Sequence, residues 1–541
     1  MVEVDLELIL KRKLHLFDMV EVNFQLNLNR KILISSPTQT TIPLIVLYKL
    51  YIISLTMASL EGSPKKIQVF MIPFFATGHL IPMTDLARLL AAHPNVEPTI
   101  VTTPANADII RPSLASNNGP DNMVRILTYA FPSVGLPPGV ENLSTAPSDE
   151  SWRVDTAARL SQSTHDLLLR AHKPDAIISD IHFWWTTKIA NEMSIPRLTF
   201  YPVGLFPQIV MNNLSEIRPD IFSRRDDDPY QCYISVPDLP GPQISIPVSE
   251  LPFFLRDESH LADIGENIAF SRLNGSGTVV NTFSDLELDY CKTYMKTIDP
   301  KIYLVGPLGL NQSKDKSLNM KRGGKGRNDC LNWLDKMPDR SVVFVCFGSW
   351  CHFSVEQLHK LAVGLEESGK NFLWVVRDGV GASEWMPKGW EERVKPRGLL
   401  IRGWVPQVAI LRHEAVGAFL THCGWNSILE AISAGVPMLT WPLVFEQFIN
   451  ERFVVEVKGY GARVWGGGKR STIESEKGVV PTEVISQAVS QFMEPGGVGE
   501  MARSKLAEMV RMSNDATTES GSSHKDLYSM INDLLKAKRE N

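Results

Sequence analysis

One stretch decides most of what this chain can fold into. Residues 404–447 read WVPQVAILRHEAVGAFLTHCGWNSILEAISAGVPMLTWPLVFEQ. Residues 417–421 (GAFLT) are a short apolar run of the kind that forms a buried strand. Residues 422–427 (HCGWNS) follow as a tight turn, in which Gly424 can take unusual backbone angles. Asn426 or Ser427 can cap the helix SILEAISA that comes next, and Gly435 suits its C-terminal end. A strand, a glycine turn and a helix start make an anion site, because the unbonded amides of a first helical turn can hold a diphosphate without any lysine.

The side chains around that turn fit the same ligand. Ser427 and Glu430 are three residues apart and share one helix face. The hydroxyl can bond a phosphate oxygen, and the carboxylate can accept two hydrogen bonds from a ribose diol. Trp404 offers a flat face for a base. Glu446 and Gln447 follow the next apolar run, at a strand's C-terminal end, and an acid beside an amide grips sugar hydroxyls well.

The run resembles the signature box of the plant family 1 UDP-glycosyltransferases, inverting enzymes that glycosylate small molecules. The likeness holds through WVPQ, HEAVGAFLTHCGWNS, the following Glu430, GVPM, WP and EQ. It implies that Trp404 stacks on uracil, that Val405 and Gln407 touch the nucleoside, and that Glu430 holds the ribose. It further implies that His422, Asn426, Ser427 and Ser349 meet the phosphates, that Trp425, Glu446 and Gln447 face the sugar, and that Gly78 borders the UDP-sugar. Gln447 at the end of the box favours glucose, since galactose users in the family often carry histidine there. Glu446 departs from the commoner aspartate, which keeps UDP-galactose, UDP-xylose and UDP-glucuronate as alternative donors. Residues 135–143 (GLPPGVENL), with that glutamate, look most like a branch acting on flavonoids, terpenoids and other phenolics.

Alternation of apolar strands and helices along both halves reads as α/β, with parallel doubly wound sheets. The resemblance implies the GT-B fold, two Rossmann-like domains facing a cleft. The expected boundaries are 57–307 for an acceptor domain, 308–328 for a polar glycine-rich linker, 329–520 for the UDP-sugar domain, and 521–541 for a helix returning to the first domain. Residues 1–56 read as an extension outside the fold. Their apolar run 41–56 is interrupted by Lys49, so no stable membrane span is expected, with a membrane anchor as the alternative. Residues 203–275, rich in Pro and Gly, read as loops and small helices. The segment GGKGR lacks a preceding strand and a GK[ST] ending, so it is no phosphate loop.

The transfer needs a base, because a protonated acceptor hydroxyl is a poor nucleophile. His79 lies at the glycine turn FFATGH after the first strand, and an imidazole with a pKa of about 6.5 suits proton transfer near neutrality. Asp180 ends another strand of the same sheet, where it can fix the imidazole's tautomer. The pair also resembles the family's catalytic His–Asp dyad. His182 has two readings, a cleft residue or a satisfied structural histidine, and the second is preferred. Phe75, Trp152, Phe183, Trp184 and Phe206, with Phe74 and Trp185, are the aromatic candidates for a hydrophobic acceptor pocket.

The remaining bounds exclude more than they add. A net charge of −5 argues against a nucleic-acid surface. Six scattered cysteines form no CxxC pair, so neither zinc nor a disulfide framework is expected, and the compartment reads as cytoplasmic. A monomer without cofactor or metal is expected. A nucleotide-cofactor oxidoreductase is the rival class, but FFATGH stands where a GxGxxG would be needed. A non-catalytic sugar-nucleotide binder would have no use for His79 and Asp180.

Overall fold

The computed structural model describes residues 66–114, 123–224, 228–256, 262–310, 327–350, 352–377 and 382–540. The extension 1–56 and most of the segment 308–328 lie outside them. Among the described residues no helix is long and apolar enough to cross a membrane.

Two parallel sheets organise residues 66–540. The strands of the first half are β1 (Ile67–Ile72), β2 (Val96–Thr102), β3 (Arg125–Thr128), β4 (Ala176–Asp180) and β5 (Arg197–Tyr201). After these come a small hairpin, β6 (Tyr233–Ser235) and β7 (Ser245–Pro247), then β8 (Thr278–Val280) and β9 (Ile302–Leu304). Seven of the nine pair in the order β3-β2-β1-β4-β5-β8-β9. Nearly every side chain of β1, β2, β4, β5 and β8 is buried, as expected for strands covered by helices on both faces. The second half supplies β10 (Val342–Cys346), β11 (Asn371–Val376), β12 (Gly398–Arg402), β13 (Val416–Thr421), β14 (Met438–Thr440) and β15 (Gly461–Arg463). They pair in the order β12-β11-β10-β13-β14-β15.

Both orders start in mid-sheet and reverse, between β1 and β4 in the first half and between β10 and β13 in the second. At such a reversal the flanking connections leave on opposite faces, which opens a crevice beyond the strand ends. His79 and Asp180 follow β1 and end β4. Ser349 and the turn 422–424 follow β10 and β13. These groups therefore sit at the two switch points, while Trp404 follows β12 and Glu446 follows β14.

Local structure departs from the sequence reading in several places. The first helix is Thr77–Ala91, entered from an extended Ala76, so Gly78 and His79 lie in its first turn rather than in a loop before it. The box helix is Trp425–Ala434, and its entry residue is Gly424, with no side-chain cap. Asn426 and Ser427 are thus first-turn residues, not caps. Gly424 has an ordinary φ of −63°, while the positive φ of the turn, 65°, falls on Cys423. Gly424 is needed for space instead: a Cβ there would stand 2.5 Å from Nε2 of His422. Gly435 does close the helix, at φ 71°. Residues 203–275 are more regular than expected. Helix Leu205–Glu216 buries Leu205, Phe206, Ile209, Val210 and Leu214, a helical spacing that the nearby prolines obscure.

The last helix, Ser522–Glu540, belongs to the first half's packing. Leu527, Met530, Ile531 and Leu534 join Val69, Met71, Ile178 and Val279 in one core cluster. Polar anchors fix its register: Asp526 accepts from the Leu304 amide at 2.8 Å, Asp533 from the Tyr303 hydroxyl at 2.6 Å, and Lys538 reaches Asp175 at 2.9 Å.

Candidate active site

The switch points face each other across one cleft of about 2220 Å³, lined from the first half by Phe74, His79, Trp152, His182 and Trp184 and from the second by Ser349, Trp404, Glu430 and Glu446.

On the first-half side, His79 Nδ1 lies 2.8 Å from Asp180 Oδ2. Asp180 is wholly buried, whereas His79 keeps 21% of its side chain accessible. With Nδ1 taken, Nε2 is the nitrogen left to meet a substrate. Burial alone would push the Asp180 carboxyl up. The charge of His79 and the hydrogen bonds from both histidines outweigh it and hold the group well below the usual carboxylate range. The other oxygen, Oδ1, is taken by His182, through Nδ1 at 2.6 Å and its backbone amide at 3.1 Å. His182 opens onto the cleft with 40% of its side chain accessible, which corrects its reading as a structural histidine. Burial opposes its charge, but the bond and charge of Asp180, with Asp155 beyond, raise its pKa. Its ring stacks on Phe74, centroids 3.9 Å apart.

On the opposite side, the first turn of the box helix points into the cleft. Gln407 Nε2 donates to Ser427 Oγ at 2.9 Å and to Glu430 Oε2 at 2.8 Å, so one amide ties the hydroxyl to the carboxylate. Trp404 lines the same cleft half exposed, and the next residue, Val405, is buried. The His422 ring sits between two glycines, since a Cβ on Gly348 would come within 2.6 Å of it. Burial pushes its pKa down to about 4, so it is neutral at pH 7. Gly348, at φ 74°, turns the chain so that Ser349 enters the cleft wall. Gln447 is buried, and its Oε1 accepts from the amides of Leu443 and Val444 at 3.0 and 3.1 Å. Burial raises the Glu446 pKa, against a hydrogen bond from Asn450.

Two box residues bridge the halves. Trp425 is buried, donates from Nε1 to the Asn281 carbonyl at 2.8 Å, and fills the space that a Cβ on Gly204 would need. Asn426 accepts from Asn281 Nδ2 at 3.0 Å and donates to the Gly78 carbonyl at 2.7 Å. Asn281 was missed by sequence reasoning, although it directly follows β8, at the sheet edge where Asp180 ends β4.

Three aromatic candidates do not line the cleft. Phe75 and Phe183 are buried in an aromatic cluster, with Phe75 against Phe131 and Phe183 against His165 and Trp185. Phe206 is buried between Tyr290 and Phe453. Apolar rings pack where they leave water, and these three find complete partners behind the wall. Trp152 and Trp184 do line it, as do Phe74 and Trp185. Asp155 and Arg159 join them there unanticipated, on a helix (Trp152–Leu160) without a motif. Among the described residues, His79, Asp180 and His182 are the group whose ligand-type atoms converge, within 4.8 Å of one another, and His422 and Cys423 are not part of it.

A family model described as UDP-glucoronosyl and UDP-glucosyl transferase matches residues 276–467. The scopoletin glucosyltransferase of Nicotiana tabacum is 38% identical over 483 residues, covering 87% of this chain and 98% of that protein. The anthocyanin 3'-O-beta-glucosyltransferase of Gentiana triflora is likewise 38% identical, over 87% of this chain and 98% of its own. Among solved structures, Glycyrrhiza uralensis UGT73P12, complexed with glycyrrhetinic acid 3-O-monoglucuronide, superimposes with a TM-score of 0.79 at 33% identity, over 88% of this chain and 97% of that one. Phytolacca americana UGT2, complexed with UDP-2fluoro-glucose and pterostilbene, does so with a TM-score of 0.69 at 28% identity, over 86% and 99%.

Proposed function

Because this chain belongs to the UDP-glucuronosyl and UDP-glucosyl transferases and has their GT-B fold, we propose that it moves glucose from UDP-glucose onto a hydroxyl of a hydrophobic phenolic or terpenoid acceptor, with His79 as the base. The chain is a UDP-glycosyltransferase, and glucosyl transfer to small molecules is its reaction class. The atom-level account is the proposal. The single observation that carries it is the His79 Nδ1–Asp180 Oδ2 bond at 2.8 Å, in the same cleft as the first turn of the box helix.

In this account Nε2 of His79 takes the acceptor proton while the acceptor oxygen attacks the anomeric carbon. The bond from that carbon to the diphosphate breaks on the far side, and configuration inverts. Asp180 holds the imidazole in the Nδ1–H tautomer and stabilises the imidazolium that forms. The departing charge falls at the N-terminus of Trp425–Ala434, where preorganised amides stabilise it. Trp404 covers the uracil, Glu430 takes the ribose, Ser349 and Ser427 take phosphate oxygens, and Glu446 with Gln447 takes the sugar. Trp152 and Trp184 bound the acceptor side. The transfer itself needs no metal. A cytoplasmic compartment is proposed, in keeping with six scattered cysteines and no CxxC pair. A monomer is proposed.

The test is His79→Ala, assayed for UDP release with a flavonol acceptor and, separately, for UDP binding by calorimetry. Turnover lost by ~10²–10⁴-fold with UDP binding kept is the expected result. Turnover near the wild-type rate would remove His79 from the role.

A further inference from the structure

We propose that His79, Asp180 and His182 form a site for a zinc-class divalent cation, and that occupation of this site inhibits the transferase. His79 and His182 both direct Nδ1 at one carboxylate, on Oδ2 at 2.8 Å and on Oδ1 at 2.6 Å. Two imidazole nitrogens and a carboxylate oxygen within 4.8 Å of one another make a two-histidine, one-carboxylate ligand set. Zinc holds such ligands at about 2.0–2.1 Å, so they surround it about 3.3 Å apart. Drawing the set in asks for side-chain shifts of about an ångström, with no change of fold.

The surroundings suit a cation. Both histidines keep accessible surface in the cleft, which leaves an open fourth position and an entry path. The Phe74 ring stacked on His182 restrains that ligand, as an outer shell does in built metal sites. Asp155 from the neighbouring helix and Glu446 from the other half both interact electrostatically with His79, although burial raises the pKa of each and Arg159 also acts on Asp155. A nitrogen-rich set favours Cu²⁺ and Zn²⁺, while Mg²⁺ prefers oxygens and keeps its water.

Inhibition follows from tautomer chemistry. With Nδ1–H given to Asp180, each neutral imidazole has its lone pair on Nε2. A metal bound at Nδ1 takes the lone pair there, so that ring's proton moves through solvent to Nε2. A neutral ring gains and loses no proton, a His182 imidazolium gives its Nδ1 proton to solvent as the metal binds, and no electron moves. His79 Nε2 is then a donor and can no longer accept a proton from an alcohol. This step rests on the reading of His79 as the base; metal binding does not. The ligands come only from the first half, so the ion leaves the UDP-glucose face unblocked.

The experiment titrates ZnCl₂ into the apoprotein by calorimetry and, in parallel, into initial-rate assays with UDP-glucose varied. Wild type, His182→Asn and His182→Gln are compared, with MgCl₂ as the control salt. We expect micromolar zinc to bind and inhibit wild type, reversibly by EDTA and without competing with UDP-glucose. Each variant, measured against its own zinc-free rate, should need at least about tenfold more zinc for half inhibition. Equal zinc sensitivity in wild type and both variants overturns the proposal, because the cysteines are unchanged among them. Competition with UDP-glucose overturns it too, by putting the ion at the diphosphate. Zinc binding that depends on His182 but leaves wild-type turnover intact keeps the site and instead overturns the base assignment. Should neither variant fold, cobalt(II) added to wild type decides: no visible band of a nitrogen-ligated ion means no site.

Discussion

Asn426 supplies the Gly78 carbonyl with the hydrogen bond that Pro82 cannot give. In an α-helix the carbonyl of residue 78 accepts from the amide of residue 82, and here that residue is proline, without an N–H. The vacated acceptor is met at 2.7 Å by Asn426 Nδ2 from the other half. The first turn carrying His79 and the first turn of the box helix are thereby fixed to each other. Asn426→Ala should raise KM for UDP-glucose and lower kcat about tenfold, while costing only ~0.5–1.5 kcal/mol of stability, since the carbonyl can turn to water. Steady-state kinetics beside a denaturant titration checks the split.

Gly204 leaves room for the Trp425 indole. A Cβ at that position would stand 2.2 Å from the ring, in a wall where Trp425 is 2% exposed. Gly204→Ala should therefore destabilise by ~1–3 kcal/mol through overpacking and displace Trp425 from its bond to Asn281. Intrinsic tryptophan fluorescence and thermal denaturation report both effects.

Glu250 receives two arginines from the second half. Arg452 Nη2 lies 2.6 Å from Oε2 and Arg470 Nε 2.7 Å from Oε1, with all three side chains at most 11% exposed. Removing the carboxylate charge leaves the buried Arg452 uncompensated, while Arg470 keeps Glu451. Glu250→Gln should lower stability by ~3–5 kcal/mol, read from the denaturation midpoint.

His165 makes the fold sensitive to acid. Its ring is buried between the Tyr129 hydroxyl at 2.8 Å and Trp185 Nε1 at 3.3 Å. Burial pushes its pKa down from 6.5 to about 3. Between those values the unfolded chain binds a proton that the folded chain refuses. The stabilisation is therefore complete above pH 6.5 and declines as pH falls toward 3, by ~2 kcal/mol near pH 5. Denaturant titrations of wild type and His165→Gln at pH 7 and pH 5 should show a smaller loss in the variant.

The chemistry-bearing positions were legible where a strand-end rule applied. β1, β4, β10 and β13 are short apolar runs, and the residues just after them had to collect at two sheet edges. Asp180 could be paired with His79 across a hundred residues on that ground alone. The aromatic wall was not legible, because residue type does not separate Phe75, packed against Phe131, from Trp152, exposed in the cleft. That distinction depends on which neighbours complete each ring. The backbone of the HCGWNS turn was misread for a related reason. Glycine was assigned the strained angle, but Cys423 carries it and Gly424 is kept small for the His422 ring. By composition the run 466–470 (GGGKR) reads as a mobile loop, and only the distant partners Glu250 and Glu451 reveal Arg470 as a buried cation.

The helix Ser522–Glu540 has a consequence for synthesis. A ribosome releases the strands of the first sheet early, but Leu527, Met530, Ile531 and Leu534, which finish that sheet's interior, are translated only after every strand of the second sheet. The leading half must wait, partly uncovered, through the making of the whole trailing half, a delay in which chaperones or aggregation can intervene. Nascent-chain truncations ending before Leu527 should thus remain protease-sensitive in the first half, however long the second has had to fold.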